Sequence, residues 1–263
     1  MARIASLERW RLNGIGDTVR PAGPLAVWGM LVARISLAVG LQSAVAVGFA
    51  IAGAADPWRS AADWWLAWFA IASVINLGLL GRLLRREGLR LRDLYRLGRR
   101  TAADWKRDLA WVGLALAVAA PLGFLPNLLV SGALWGGNPV GADLTFRPLP
   151  VVGAVAILLV FPIVHALAEL PTYFGYVLPR IESLTGWRTR AVLACAVMLS
   201  LQHVALPLLF DGRYLVWRAL MFLPFAIWFG FIIDRRPTTL PFLVVAHGLL
   251  DLTLPLSVLL ISI

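Results

Sequence analysis

The sequence predicts an all-α fold: a polytopic transmembrane helical bundle of about seven spans. Three observations carry this. Of the 263 residues, 60% are hydrophobic and the mean hydropathy is +0.81, whereas roughly half of a soluble domain is apolar. The apolar residues gather into runs of about 20, long enough to cross a bilayer as helices. The basic residues gather in alternate connecting segments, as the positive-inside rule requires.

Taken in order, the expected spans are 25–54, 63–83, 109–134, 150–178, 189–210, 215–233 and 240–262. Met1 to Arg20 is polar and basic, and the run from Leu25 is too long for a signal peptide, so span one is read as retained. Gly40, Ala44 and Gly48 follow the small-xxx-small spacing of close helix packing. Trp58, Trp64, Trp65 and Trp68 cluster at the outer end of span two as an interfacial aromatic belt would. Segment 82–108 alternates Leu and Arg; it reads either as an amphipathic helix on the inner leaflet or as a solvated basic loop.

Arg3, Arg9, Arg11 and Arg20, the basic run 82–107, Arg180, Arg188, Arg190, Arg235 and Arg236 all fall on one side if the chain alternates. The opposite loops hold Arg59, Arg147 and Arg213. The N-terminus is therefore expected in the cytoplasm and the C-terminus outside. The Arg- and Ala-rich composition points to a prokaryotic plasma membrane. A net charge of +10 would suggest nucleic acid in a soluble protein. Here topology and anionic lipid at the basic loop 82–108 account for it, and no nucleic-acid partner is expected. The single cysteine, Cys195, lies in an apolar run, which excludes an intrachain disulfide and reads as packing.

Ionisable groups at membrane depth are costly and mark function. Arg34 sits in the first turns of span one and is expected to snorkel to the surface. Gln42, Asn76 and Asn127 are neutral, and packing or capping suffices for them. Glu169, His203, His247, Asp251 and His165 resist such accounts, and all three histidines of the chain fall in apolar spans. His165 and Glu169 are i,i+4, as are His247 and Asp251, so each pair shares a helical face. Such a carboxylate can fix an imidazole tautomer. Counted from one side, the depths of Glu169, His203 and His247 differ by roughly 9 Å at most. Pro162 and Pro171 bracket Glu169 and predict a local kink.

Ala168-Glu169-Leu170-Pro171-Thr172-Tyr173-Phe174-Gly175-Tyr176, continued by Leu178-Pro179-Arg180, resembles the first motif of the CAAX-protease and bacteriocin-processing family (CPBP, also called Abi), Glu-Glu-x-x-x-Arg. Leu199 to His203 occupies the place of its second motif, Phe-x-x-x-His. His247 to Asp251 matches the third, His-x-x-x-Asn or Asp. The resemblance covers 150–262. Leu170, Phe174 and Leu199 stand where the family has Glu, Arg and Phe. Leu170 and Phe174 are themselves i,i+4, so an ion pair has become an apolar pair, an exchange that stability tolerates.

The resemblance divides the chain into a cytoplasmic segment 1–24, N-terminal spans 25–149, and a catalytic region 150–263. It implies an intramembrane metalloendopeptidase that cuts a membrane-associated protein or peptide: a prenylated tail, a maturing bacteriocin or another membrane peptide. Glu169, His203, His247 and Asp251 are the catalytic residues it implies. In one scheme His203 and His247, with Asp251 or Glu169, bind Zn2+, His165 is a further ligand, and Glu169 is the general base. In the other no metal binds, Glu169 and His203 activate water, and His247 holds the oxyanion. An ionised Asp only accepts hydrogen bonds, so Asp251 is expected to orient His247 or bind metal. The alternatives are a non-catalytic scaffold or immunity protein on the same fold, and a proton-coupled transporter.

Overall fold

The computed structural model describes residues 23–98, 100–136 and 140–263; the basic N-terminal segment read as cytoplasmic lies outside these. The fold is an all-α bundle with no strand among the described residues. Helix α1 spans Pro24–Ile51, α2 Pro57–Asp63, α3 Trp65–Arg86, α4 Ala102–Trp135 and α5 Val140–Thr145. Helix α6 (Val151–Leu170) continues through a π-helical segment, Pro171–Val177, into α7 (Leu178–Thr185). Then follow α8 (Arg188–Gln202), a 3-10 turn at His203–Ala205, α9 (Gly212–Leu220), α10 (Leu223–Arg235), α11 (Leu240–Asp251) and α12 (Thr253–Ser262).

The chain is an integral membrane protein. Six of its described helical stretches are long and apolar enough to cross a bilayer: Pro24–Ile51, Trp65–Arg86, Ala102–Trp135, Val151–Thr185, Gly212–Arg235 and Pro237–Ser262. Their outer faces carry Ile71, Val74, Leu114, Phe124, Leu129, Leu159, Ile163, Val245 and Leu249, all exposed. An apolar surface this continuous suits lipid, not water. The seventh expected span, 189–210, is a 15-residue helix, α8, closed by the 3-10 turn. At 1.5 Å per residue α8 is about 22 Å long, short of the ~30 Å hydrocarbon core.

Helix α6 occupies the middle and packs against α3, α11 and α12, while α8 packs on α10. Gly230 permits the latter approach, because a Cβ there would meet Phe174 at 2.8 Å and Val192 at 3.1 Å. Helix α1 buries the stripe Val27, Leu31, Arg34, Ala38, Gln42 and Ala46. Its small-residue stripe therefore does not pack as expected: Gly40, Ala44 and Gly48 face outward, with no atom within 4 Å of a Cβ at either glycine. The tryptophan cluster also departs from the expected belt. Trp65 and Trp68 are core residues, donating to the carbonyls of Thr145 and Ala61.

Segment 82–108 is neither a continuous amphipathic helix nor a free loop. Helix α3 runs on to Arg86, a 3-10 turn follows at Leu91–Tyr95, and α4 begins at Ala102. Leu89 and Leu94 are buried, so its leucines insert into the bundle. Buried ion pairs tie the basic segments to one end: Glu87 with Arg180, Asp108 with Arg100 and Arg236, and Asp234 with Arg188. Arg59 bonds the Leu144 carbonyl at the opposite end.

Candidate functional site

The site forms where α6 loses regular hydrogen bonding. Pro171 has no N–H, so it cannot serve the carbonyl of Leu167 four residues back. Tyr95 Oη donates to that carbonyl instead, at 2.8 Å. Burial pushes the Tyr95 phenol up, which keeps it a donor. The helix widens into the π segment at Pro171, just past Glu169, and single-turn π segments recur at functional sites. The kink expected from the prolines thus takes the form of a local change in helix type.

Glu169 is 1% exposed, and its two oxygens have different surroundings. Oε2 accepts from Gln202 Nε2, lies 3.1 Å from His165 Nε2, and is 3.7 Å from Arg34 Nη2. Oε1 lies 2.9 Å from His247 Nε2. His247 Nε2 is 3.5 Å from Asp251 Oδ2, and His165 Nε2 is 3.9 Å from the same oxygen. Four of the five expected residues, His165, Glu169, His247 and Asp251, therefore meet in one buried cluster built by α6 and α11. His247 Nε2 and Asp251 Oδ2 are buried with no hydrogen-bond partner.

His203 stands apart from that group. Gln202 takes the inward position at the end of α8, and the next residue is rotated by about 100° along a helix. His203 Nδ1 lies 2.9 Å from the Leu199 carbonyl, and its ring lies 4.2 Å from Phe222. A carbonyl only accepts, so Nδ1 carries the proton. The main chain of His203 is held by Arg218, whose Nε donates to its carbonyl at 2.9 Å.

Two members of the cluster were not among the expected site residues. Arg34 does not snorkel. It is 1% exposed, ten residues into α1, about 15 Å from the start of that helix. Its Nε donates to Gln202 Oε1 at 2.8 Å and its Nη2 lies 3.0 Å from His165 Nδ1. The guanidinium lies over the Phe69 ring at 4.9 Å. Its spacing from Gln42, two helical repeats of four, signals a polar inward stripe on span one. Gln202 carries no such signal, since it is adjacent to the more conspicuous histidine.

Atoms of His165, Glu169 and His247 can come within 4.8 Å of one another, a spacing compatible with a metal ion. The donor chemistry is divided. Asp251 Oδ2 lies 3.5 Å from His247 Nε2, and Glu169 and His247 are donor types that suit a metal such as Zn2+. His165 does not while Arg34 holds it, because its Nδ1 accepts from Arg34 and its proton must sit on Nε2. No family model, no curated protein and no solved structure matches the chain.

Proposed function

We propose that the chain is an intramembrane peptidase that hydrolyses a peptide bond of a membrane-associated protein or peptide, with Glu169 as the general base. One observation carries the reading: Glu169 is buried with Oε2 engaged by Gln202 and His165, while Oε1 meets His247, which in turn lies beside Asp251. Oε1 takes the proton of an attacking water. His247 Nε2, 2.9 Å from that oxygen, carries a proton that it gives to the leaving amine, and the proton taken by Glu169 then replaces it. Asp251 orients the imidazole and balances its charge. A Zn2+ ion held by His247 and Asp251 would supply a lower water pKa and a polarised carbonyl, with Glu169 kept as the base.

The rest of the molecule supports a site served from the bilayer. The helices around it present apolar faces to lipid, so a hydrophobic segment reaches it without leaving the membrane. The basic end of the bundle faces the cytoplasm of a prokaryotic plasma membrane in this reading, with anionic lipid around Arg85 and Arg90. The CPBP-like order of motifs points to the same chemistry.

The test uses purified protein in lipid nanodiscs, a library of Lys-flanked hydrophobic peptides and H2(18)O. The wild type is expected to place one 18O in each new C-terminal carboxylate. Glu169→Gln is expected to lower that yield by about 100-fold or more, the scale of a lost general base. A library left intact by the wild type, or cut equally by Glu169→Gln, contradicts the proposal.

A further inference from the structure

We propose that Arg34 is a positioning residue that sets the direction of the hydrogen bonding around Glu169, by fixing both the tautomer of His165 and the orientation of the Gln202 amide. The role assigned to Glu169 Oε1 rests on the peptidase reading; the directions of these contacts do not.

A guanidinium carries five N–H donors and no acceptor. Whatever lies within hydrogen-bond distance of it must accept. Nη2 of Arg34 is 3.0 Å from His165 Nδ1, so Nδ1 presents its lone pair. The single proton of the neutral ring then sits on Nε2, which stands 3.1 Å from Glu169 Oε2. Stacking prevents the ring from turning over: Phe161 lies parallel to it at 4.9 Å and Phe69 covers it at 5.3 Å.

The same logic orients Gln202. Arg34 Nε donates to one end of its amide at 2.8 Å, and Tyr173 Oη lies 3.2 Å from the same atom. That atom must be the oxygen, which turns the amide nitrogen toward Glu169 Oε2. Reversing the amide would face an N–H against the guanidinium and an oxygen against the carboxylate, an arrangement a buried site does not tolerate. One cation therefore directs two neutral groups to present N–H to the same carboxylate oxygen. It also stands 3.7 Å from that oxygen and balances its charge. Oε1 is left with a different partner, His247 Nε2 at 2.9 Å. This explains why an arginine is held at membrane depth, where charge is costly, without reaching the surface.

The chain has three histidines, so ring 15N spectra of 15N-His protein in lipid bilayers contain few signals. Single His→Asn variants assign them. His165 is expected as one tautomer, with the proton on Nε2 and a bare Nδ1. His203 is expected as the opposite tautomer. Arg34→Met is expected to convert the His165 ring to a mixture and leave His203 unchanged; Arg34→Gln, which keeps an N–H donor, restores part of the order. A wild-type His165 with its proton on Nδ1, or on both nitrogens, overturns the inference with no variant needed. So does an Arg34→Met spectrum identical to the wild type. A wild type with the expected His165 tautomer that cuts no peptide would count against the peptidase reading alone.

Discussion

At the scale of single residues the proposed function turns on the different surroundings of the two Glu169 oxygens. Oε2 is held by Gln202 and His165, whereas Oε1 meets the titratable ring of His247. His247 contacts Oε1, whereas His203 gives its Nδ1–H to a backbone carbonyl four residues back. In the peptide-cleavage assay His247→Ala is expected to lose about 100-fold or more, and His203→Ala less than about tenfold. The reverse order would mean that His203 enters the site when substrate binds. Glu169, His165, His247 and Asp251 were legible because charge inside apolar runs is rare and i,i+4 spacing fixes a shared face. Arg34 was not, because a long side chain near a helix end has a second solution, snorkelling, that one sequence cannot exclude. Packing decided it: Gln202 and His165 supply buried acceptors within the bundle.

Among the elements, the π segment shapes the site most. Pro171 deprives the Leu167 carbonyl of its helical partner, and a tyrosine from a different segment supplies the donor. Tyr95→Phe removes only that hydroxyl. The expected cost is about 1–3 kcal/mol, the desolvation penalty of one unpaired group, read as a lower unfolding midpoint in detergent. An unchanged midpoint would show that water or the widened helix satisfies the carbonyl. Pro162 and Pro171 made a distortion near Glu169 predictable from the sequence, but not its type, which depends on the remote Tyr95. The helix expected over 189–210 is shorter for a similar reason. Its hydropathy is ample, yet the segment after Gln202 tightens into a 3-10 turn that Arg218 holds through the carbonyls of His203 and Leu206.

For the whole molecule, composition and hydropathy alone fix the all-α membrane class, because a buried backbone in lipid must satisfy its own hydrogen bonds. The segregation of basic segments was equally legible, and ion pairs at Glu87, Asp108 and Asp234 join them at one end of the bundle. Which helices surround the cluster was not legible. The site needs α1 as well as α6, α8 and α11, so the first span belongs to it as much as the region 150–263 does. Assembly from distant helices holds Glu169 away from bulk water while leaving the apolar bundle surface open to lipid.

The most direct test compares protein C-termini in membranes of cells carrying the wild-type chain or Glu169→Gln at the native locus, at matched levels of folded protein. Mass spectrometry is expected to find at least one membrane-protein terminus generated only with the wild type, its full-length precursor accumulating in the variant. Identical sets of termini in the two membranes would contradict hydrolysis at Glu169.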